Sequence, residues 1–194
     1  MAVPSPPPPD KSTLRAEGVE RRRAFAGSLT QELRAEMEAQ LARLVLPHLI
    51  EARIVGAYHP MRDEIGPCAI LEGLGAGQSA AFPWFAGRDE RFLWRAGPAT
   101  EPSPWGVLQP AAEAPAVAPD IVIVPLVLAD RAGARIGHGQ GHYDRALAHL
   151  RQAGPVFAIG IGWENQLLDE PLPTDPWDVP LDAVATPREW VSWR

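Results

Sequence analysis

The chain has a single cysteine, Cys68, among its 194 residues. One thiol can build neither an internal disulfide nor a zinc cage, so Cys68 is expected as a small buried side chain. No apolar run reaches the roughly 18 residues that a membrane span requires. The N-terminal segment also lacks an apolar signal core, which leads to the expectation of a cytoplasmic protein with no membrane partner. An excess of positive charge is missing too. Eighteen Lys and Arg against 24 Asp and Glu leave a net charge of −6, which argues against a nucleic-acid partner, since that affinity comes largely from phosphate neutralisation. Any anion site must therefore be local. Internal repeats are absent. What remains is ordinary for one soluble domain with a continuous core, at 46% hydrophobic and 22% charged residues.

"MAVPSPPPPD" (1–10) reads as a disordered or polyproline tail, and residues 11–194 as a single domain. "KSTLRAEGVERRRAFA" reads as a basic helix, and "SLTQ" as a capping box opening a second helix that places Leu33, Met37, Leu41 and Leu44 on one face and stops at Pro47. By their residue types alone, Lys11, Arg15 and Arg21 to Arg23 fit a solvated charged face. A strand is expected at 53–58, a loop over "HPMRDE", a short helix at 65–75 and weaker strands at 79–83 and 91–95. The Pro- and Ala-rich residues 97–119 look like a surface loop. The aliphatic run "PDIVIVPLVLAD" (119–130) predicts one strand buried on both faces, and further strands are expected at 156–162 and 181–186. Most of the seven tryptophans should pack in the core or cover it. This alternation implies a mostly parallel sheet covered by helices, with ligands gathering at the carboxyl ends of the strands.

The segment "ARIGHGQGHYDRAL" (134–147) sets glycines at every second position, 137, 139 and 141, directly after the aliphatic run. Tyr143, Leu147 and Leu150 then recur at helical spacing. Strand, glycine loop, helix is the order in which unpaired amides and a helix dipole favour phosphate. The segment is not a Walker loop, because no Gly-Lys-Ser/Thr follows, and it misses the Rossmann spacing by one residue. A plain Gly-rich turn is the bland alternative. Against it, Arg135, His138, His142, Asp144 and Arg145 crowd charge and proton-exchanging groups onto the same few residues.

Taken together, these motifs resemble the 5-formyltetrahydrofolate cyclo-ligase family. The resemblance rests on "KxxLR" from Lys11, "YxPxxxE" ending at Glu64, "WGVLQP" from Trp105, the long "VPLVLADxxGxRIGxGxGxYDR" and the late "WDVPLDAVAT". It implies a three-layer α/β/α sandwich related to sugar-phosphate isomerases and CoA transferases. The implied activity is conversion of 5-formyltetrahydrofolate to 5,10-methenyltetrahydrofolate, with ATP and Mg²⁺. The formyl oxygen would attack the γ-phosphate, N10 would add to the activated carbon, and phosphate would leave.

Carried over residue by residue, the resemblance makes Lys11 and Arg15 ATP contacts, so that this part of the basic helix becomes a phosphate clamp. It assigns Arg135, Ile136, Gly137, His138, Gly139, Gln140, Gly141, His142 and Tyr143 to ATP, with Arg135, His138 and Tyr143 as catalytic candidates. Gly139, Gln140, Gly141 and His142 would also face the folate, together with Tyr58, Glu64 and Trp105. Asp144 and Asp178 would bind the metal. Family members commonly carry Tyr-Tyr-Asp after the last glycine and basic residues between the glycines, whereas this chain has His142-Tyr143-Asp144 with His138 and Gln140. His142 would introduce a titration near about pH 6 to 7. The expected partner is a small-molecule substrate, bound by a monomer. A non-catalytic folate- or nucleotide-binding module, and another phosphoryl-activating enzyme on the same scaffold, are the alternatives.

Overall fold

In this computed structural model, residues 10–88 and 90–193 are described. The proline-rich tail expected at 1–10 therefore lies, up to residue 9, outside the described residues. The N-terminal basic segment forms α1 (Lys11–Ser28), started by the Asp10 side chain accepting from Thr13 N. α2 (Gln31–Val45) is capped by Thr30, whose side chain accepts from Leu33 N. The cap is thus Thr30 and not Ser28, whose hydroxyl instead donates to the Phe25 carbonyl. The helix runs into a 3₁₀ turn at Leu46–His48, close to the expected stop at Pro47.

The remaining elements are β1 (Ile54–Gly56), α3 (Cys68–Glu72), β2 (Ser79–Trp84), β3 (Leu93–Ala96), β4 (Ala99–Pro102), β5 (Leu108–Pro110), β6 (Ile121–Pro125), β7 (Leu128–Asp130), β8 (Arg135–Ile136), α4 (His142–Ala153), β9 (Phe157–Ile161), β10 (Leu167–Leu168), β11 (Ala183–Ala185) and β12 (Trp190–Ser192). The main sheet runs β12-β11-β9-β6-β1-β2-β3. Its five central strands are parallel, and β3 and β12 close the edges antiparallel. Alternation along β6 sorts the core into two halves. Ile121 and Ile123 face α2 and α3 through Met37, Leu41, Val45 and Ile70, while Val122 and Val124 face α4 through Ala146, Leu147 and Leu150. Helices therefore cover both faces, as expected for a three-layer α/β/α sandwich.

Several expectations fail for tertiary reasons. The run 119–130 is two strands in two sheets, since β6 ends at Pro125 and β7 pairs with β8 and β10. At the break the Gln166 side-chain amide donates to the carbonyls of Leu126 and Val127, satisfying backbone that no strand neighbour reaches. Residues 97–119 are not a bare loop, because β4 and β5 form a hairpin with Trp105 in its turn. On α2 the buried face is Met37, Leu41, Ala42 and Val45, and Leu33 is exposed. Cys68 is exposed at the start of α3. Arg22 is 3% exposed rather than part of a solvated face, with bonds to Asp63, Glu64 and the Leu126 carbonyl. Of the tryptophans, Trp94 and Trp163 are buried, but Trp177 is 71% exposed.

Two features aim the chain at one place. Strand order reverses at β1, with β2 on one side and β6 on the other, and such a switch point opens a crevice at the carboxyl ends of the strands. α1 approaches β7 so closely that a Cβ on Gly18 would meet Val127 and Leu128 side-chain atoms at under 3 Å. That contact brings the start of α1 to the same crevice.

Candidate active site

A cavity of about 530 Å³ occupies this crevice. The segments that follow β1 and β2 supply Tyr58, Glu64 and Phe85, the end of β6 supplies Pro125, and the loop before α4 adds further lining. Every site residue inferred from the sequence lines it. Lys11 and Arg15 come from α1, Trp105 from the β4–β5 turn, Asp178 from the segment before β11, and Arg135 through Asp144 from β8, the glycine loop and the first turn of α4.

The loop needs its glycines. Gly139 and Gly141 have φ of +88° and +63°, where a Cβ is strained. Gly141 is the N-cap of α4 and the helix has no side-chain cap, so the first-turn amides are left for a ligand. Arg15 braces the loop, its Nε donating to the Gly137 carbonyl at 2.7 Å.

Charge is concentrated at this end. Arg135, with its side chain 7% exposed, donates to Asp144 Oδ1 at 2.5 Å and also to the Val179 carbonyl. Burial pulls the Arg135 pKa below its usual value, against the opposing pull of Asp144. Val179 N–H adds a second donor to the same Asp144 oxygen at 3.1 Å. Lys11, the only lysine in the sequence, pairs with Asp175 at 2.7 Å and with Asp178. Burial acts to lower its pKa, yet the two carboxylates raise it overall. Asp178 Oδ2 also accepts from Asp175 N–H.

The other end is aromatic. Trp105 and His142 meet edge to face with centroids 5.1 Å apart, and Phe85 meets His142 at 5.3 Å. Arg145 approaches His142 Nδ1 at 3.1 Å. Burial, and then the charge of Arg145, push the His142 pKa below its ordinary value. Tyr58 is buried with its hydroxyl donating to the Ile65 carbonyl at 2.6 Å, so only its ring borders the cavity. Burial raises the Tyr143 pKa far above its ordinary value, with Glu64 adding to the effect.

Glu64 sits at the floor, 2% exposed. Its Oε2 accepts from Met61 N–H at 2.9 Å, and its Oε1 lies 3.3 Å from both Arg22 Nη1 and His138 Nε2. Sequence reasoning passed over Arg22, Asp63, Asp175 and Trp177. Asp175 and Trp177 carried a signal in their spacing to Asp178, whereas Arg22 looked like any other member of a charge run.

Fold and site together define the class, an α/β enzyme with a phosphate-type loop at the switch point of its sheet. The chain belongs to the 5-formyltetrahydrofolate cyclo-ligase family, which residues 8–187 match. It is 32% identical over 201 residues to a 5-formyltetrahydrofolate cyclo-ligase of Mycolicibacterium smegmatis, covering 95% of this chain and 97% of the relative. In fold it is similar to Aquifex aeolicus 5,10-methenyltetrahydrofolate synthetase, with a TM-score of 0.76 at 24% identity over 94% of this chain and 92% of the other. It is also similar to a 5,10-methenyltetrahydrofolate synthetase from Mycoplasma pneumoniae, with a TM-score of 0.69 at 21% identity over 92% and 99%.

Proposed function

We propose that this chain uses ATP to convert 5-formyltetrahydrofolate to 5,10-methenyltetrahydrofolate, releasing ADP and phosphate. The observation that carries the reading is the meeting of α1 with the glycine loop at a cavity that is also lined by aromatic rings. Arg15 is bonded to Gly137, and Phe85, Trp105 and His142 line the same cavity. Lys11, Arg15, Arg135 and the backbone amides of the loop from Ile136 to Tyr143 would hold the triphosphate. Tyr58, Glu64, Trp105 and the His142 ring would hold the folate.

The formyl oxygen is a poor leaving group, so ring closure needs it phosphorylated. The protein's task is to align that oxygen with the γ-phosphorus and to absorb charge on the phosphoryl oxygens. Loop amides, Arg135 and Arg15 suit that task. Magnesium is part of the proposal. Among the described residues no group of three or more His, Cys, Asp or Glu is arranged to hold a metal. Mg²⁺ does not require one, because it takes one or two carboxylates and completes its shell with water and substrate phosphates. Asp144 and Asp178 fit that pattern, since both line the cavity and each has one oxygen outside the bonds described above. When bound, the ion would neutralise charge on the transferred phosphoryl group.

The test is the absorbance of methenyltetrahydrofolate formed from 5-formyltetrahydrofolate, with and without ATP. ATP-dependent product formation is the expected result. Ligand binding without turnover would indicate a binding module, and ATP consumption without the methenyl product would indicate a different phosphoryl-activating enzyme.

A further inference from the structure

His138 is the loop residue that reaches across the cavity. It stands between Gly137 and Gly139 in the segment assigned to the triphosphate, yet its Nε2 lies 3.3 Å from Glu64 Oε1, on the segment assigned to the folate. A carboxylate can only accept, so in the neutral imidazole that makes this contact the hydrogen is on Nε2 and Nδ1 carries the lone pair. Nδ1 has no protein partner among the described residues, and the side chain remains 43% exposed at the cavity wall. Glu64 is fixed in turn by Met61 N–H and by Arg22, itself held by Asp63. A base oriented by a buried, independently anchored carboxylate is the arrangement that proton transfer in a site requires.

We propose that His138, oriented by Glu64, carries the proton of the ring-closing step. The inference rests on the activity proposed above. When N10 adds to the phosphorylated formyl carbon, a C–N bond forms and N10 becomes cationic. His138 Nδ1 takes the N10 proton. The C–O bond then breaks with its electron pair going to the departing phosphate, the N5–C–N10 unit becomes the methenyl cation, and His138 returns the proton to a phosphate oxygen. The histidine ends as it began and no further reactant is needed. Placement in the phosphate loop beside a folate-side carboxylate puts one imidazole within reach of both ends of that transfer.

The test is single-turnover kinetics at saturating ATP and Mg²⁺, following ADP and methenyltetrahydrofolate separately. His138→Gln retains a donor for Glu64 and removes the base, and His138→Asn serves as a second variant. Both should form one equivalent of ADP at a rate within about threefold of wild type, while methenyl formation falls by roughly 10²- to 10⁴-fold, the usual worth of general acid–base catalysis. Two results would overturn the proposal: wild-type rates for both products, or a proportionate loss of ADP and methenyl formation, which would make His138 a phosphate contact. A wild-type protein that makes no methenyl product from ATP would instead overturn the activity itself.

Discussion

Arg15 Nε donates to the Gly137 carbonyl at 2.7 Å, and the Arg15 guanidinium carbon lies 3.2 Å from where a Cβ would stand on Gly139. A helix at one end of the chain thus shapes a loop 122 residues later.

Gly139→Ala tests that brace. The new methyl would meet Arg15 at a φ of +88°. The left-handed conformation costs about 1–2 kcal/mol for a residue with a Cβ. Thermal melting should fall accordingly. Displacing Arg15 should raise the ATP KM by roughly tenfold or more, because a charge-assisted hydrogen bond is worth about 1.5–3 kcal/mol. An unchanged ATP KM in a destabilised variant would confine Gly139 to loop geometry.

Asp144→Asn separates metal binding from structure. If Asp144 binds Mg²⁺, turnover should drop by at least about 10²-fold, as when a main electrostatic contact is removed from a reacting centre. Stability should fall as well, because Arg135 is buried and loses its carboxylate partner. Breaking a fully buried pair costs about 3–5 kcal/mol. Asp144 is a quarter exposed, which places the cost at about 1–3 kcal/mol after solvent screening. A folded variant with near wild-type turnover across a Mg²⁺ titration would rule out the metal role.

Glu64→Gln addresses the folate end. A pterin offers adjacent N–H donors, and the carboxylate oxygens can accept a further bond beyond those from Met61, Arg22 and His138. The folate KM should rise roughly tenfold, the worth of about one such bond, and the ATP KM should change far less. Equal changes in both constants would count against a folate contact. A melting temperature lowered together with the folate effect is also expected, since Arg22 would keep Asp63 alone as its carboxylate partner.

The parts of this site that were legible in the sequence are the local ones. Glycines 137, 139 and 141 sit beside their strand and helix, so spacing alone placed them at a helix start. Lys11 and Arg15 became visible only through family resemblance, since nothing in a charge run says which members turn inward. Arg22 shows why: its burial depends on Asp63, Glu64 and the Leu126 carbonyl, the last contributed by a residue 104 positions away. The split of 119–130 was hidden for the same reason. Pro125 marks the bend, but the Gln166 amide that stabilises it comes from the other side of α4 and β9. Leu33 and Leu44 fit a helical stripe, yet the partners of α2 lie nearer Ala42 and Val45. Trp177 is 71% exposed and lines the cavity between the Lys11 partners Asp175 and Asp178, and only its spacing to Asp178 set it apart from the core tryptophans.

His142 gives the last prediction, a pH dependence of stability. Its pKa is depressed by burial and by Arg145, and that of His59 is depressed by burial. In the unfolded chain a histidine protonates near about pH 6.5. As pH falls through that value the unfolded state takes up protons that the folded state refuses, so stability is full above about pH 6.5 and declines below it until the folded pKa is reached. Each such group can contribute a slope of up to about 1.4 kcal/mol per pH unit over that window. His142→Tyr keeps an aromatic ring against Phe85 and Trp105 while removing the titration. Denaturant unfolding without ATP, whose terminal phosphate titrates in the same range, should show a shallower acid decline in the variant, with the His59 share remaining. Parallel declines in the two proteins would show that His142 is as free to protonate in the folded chain as in the unfolded one.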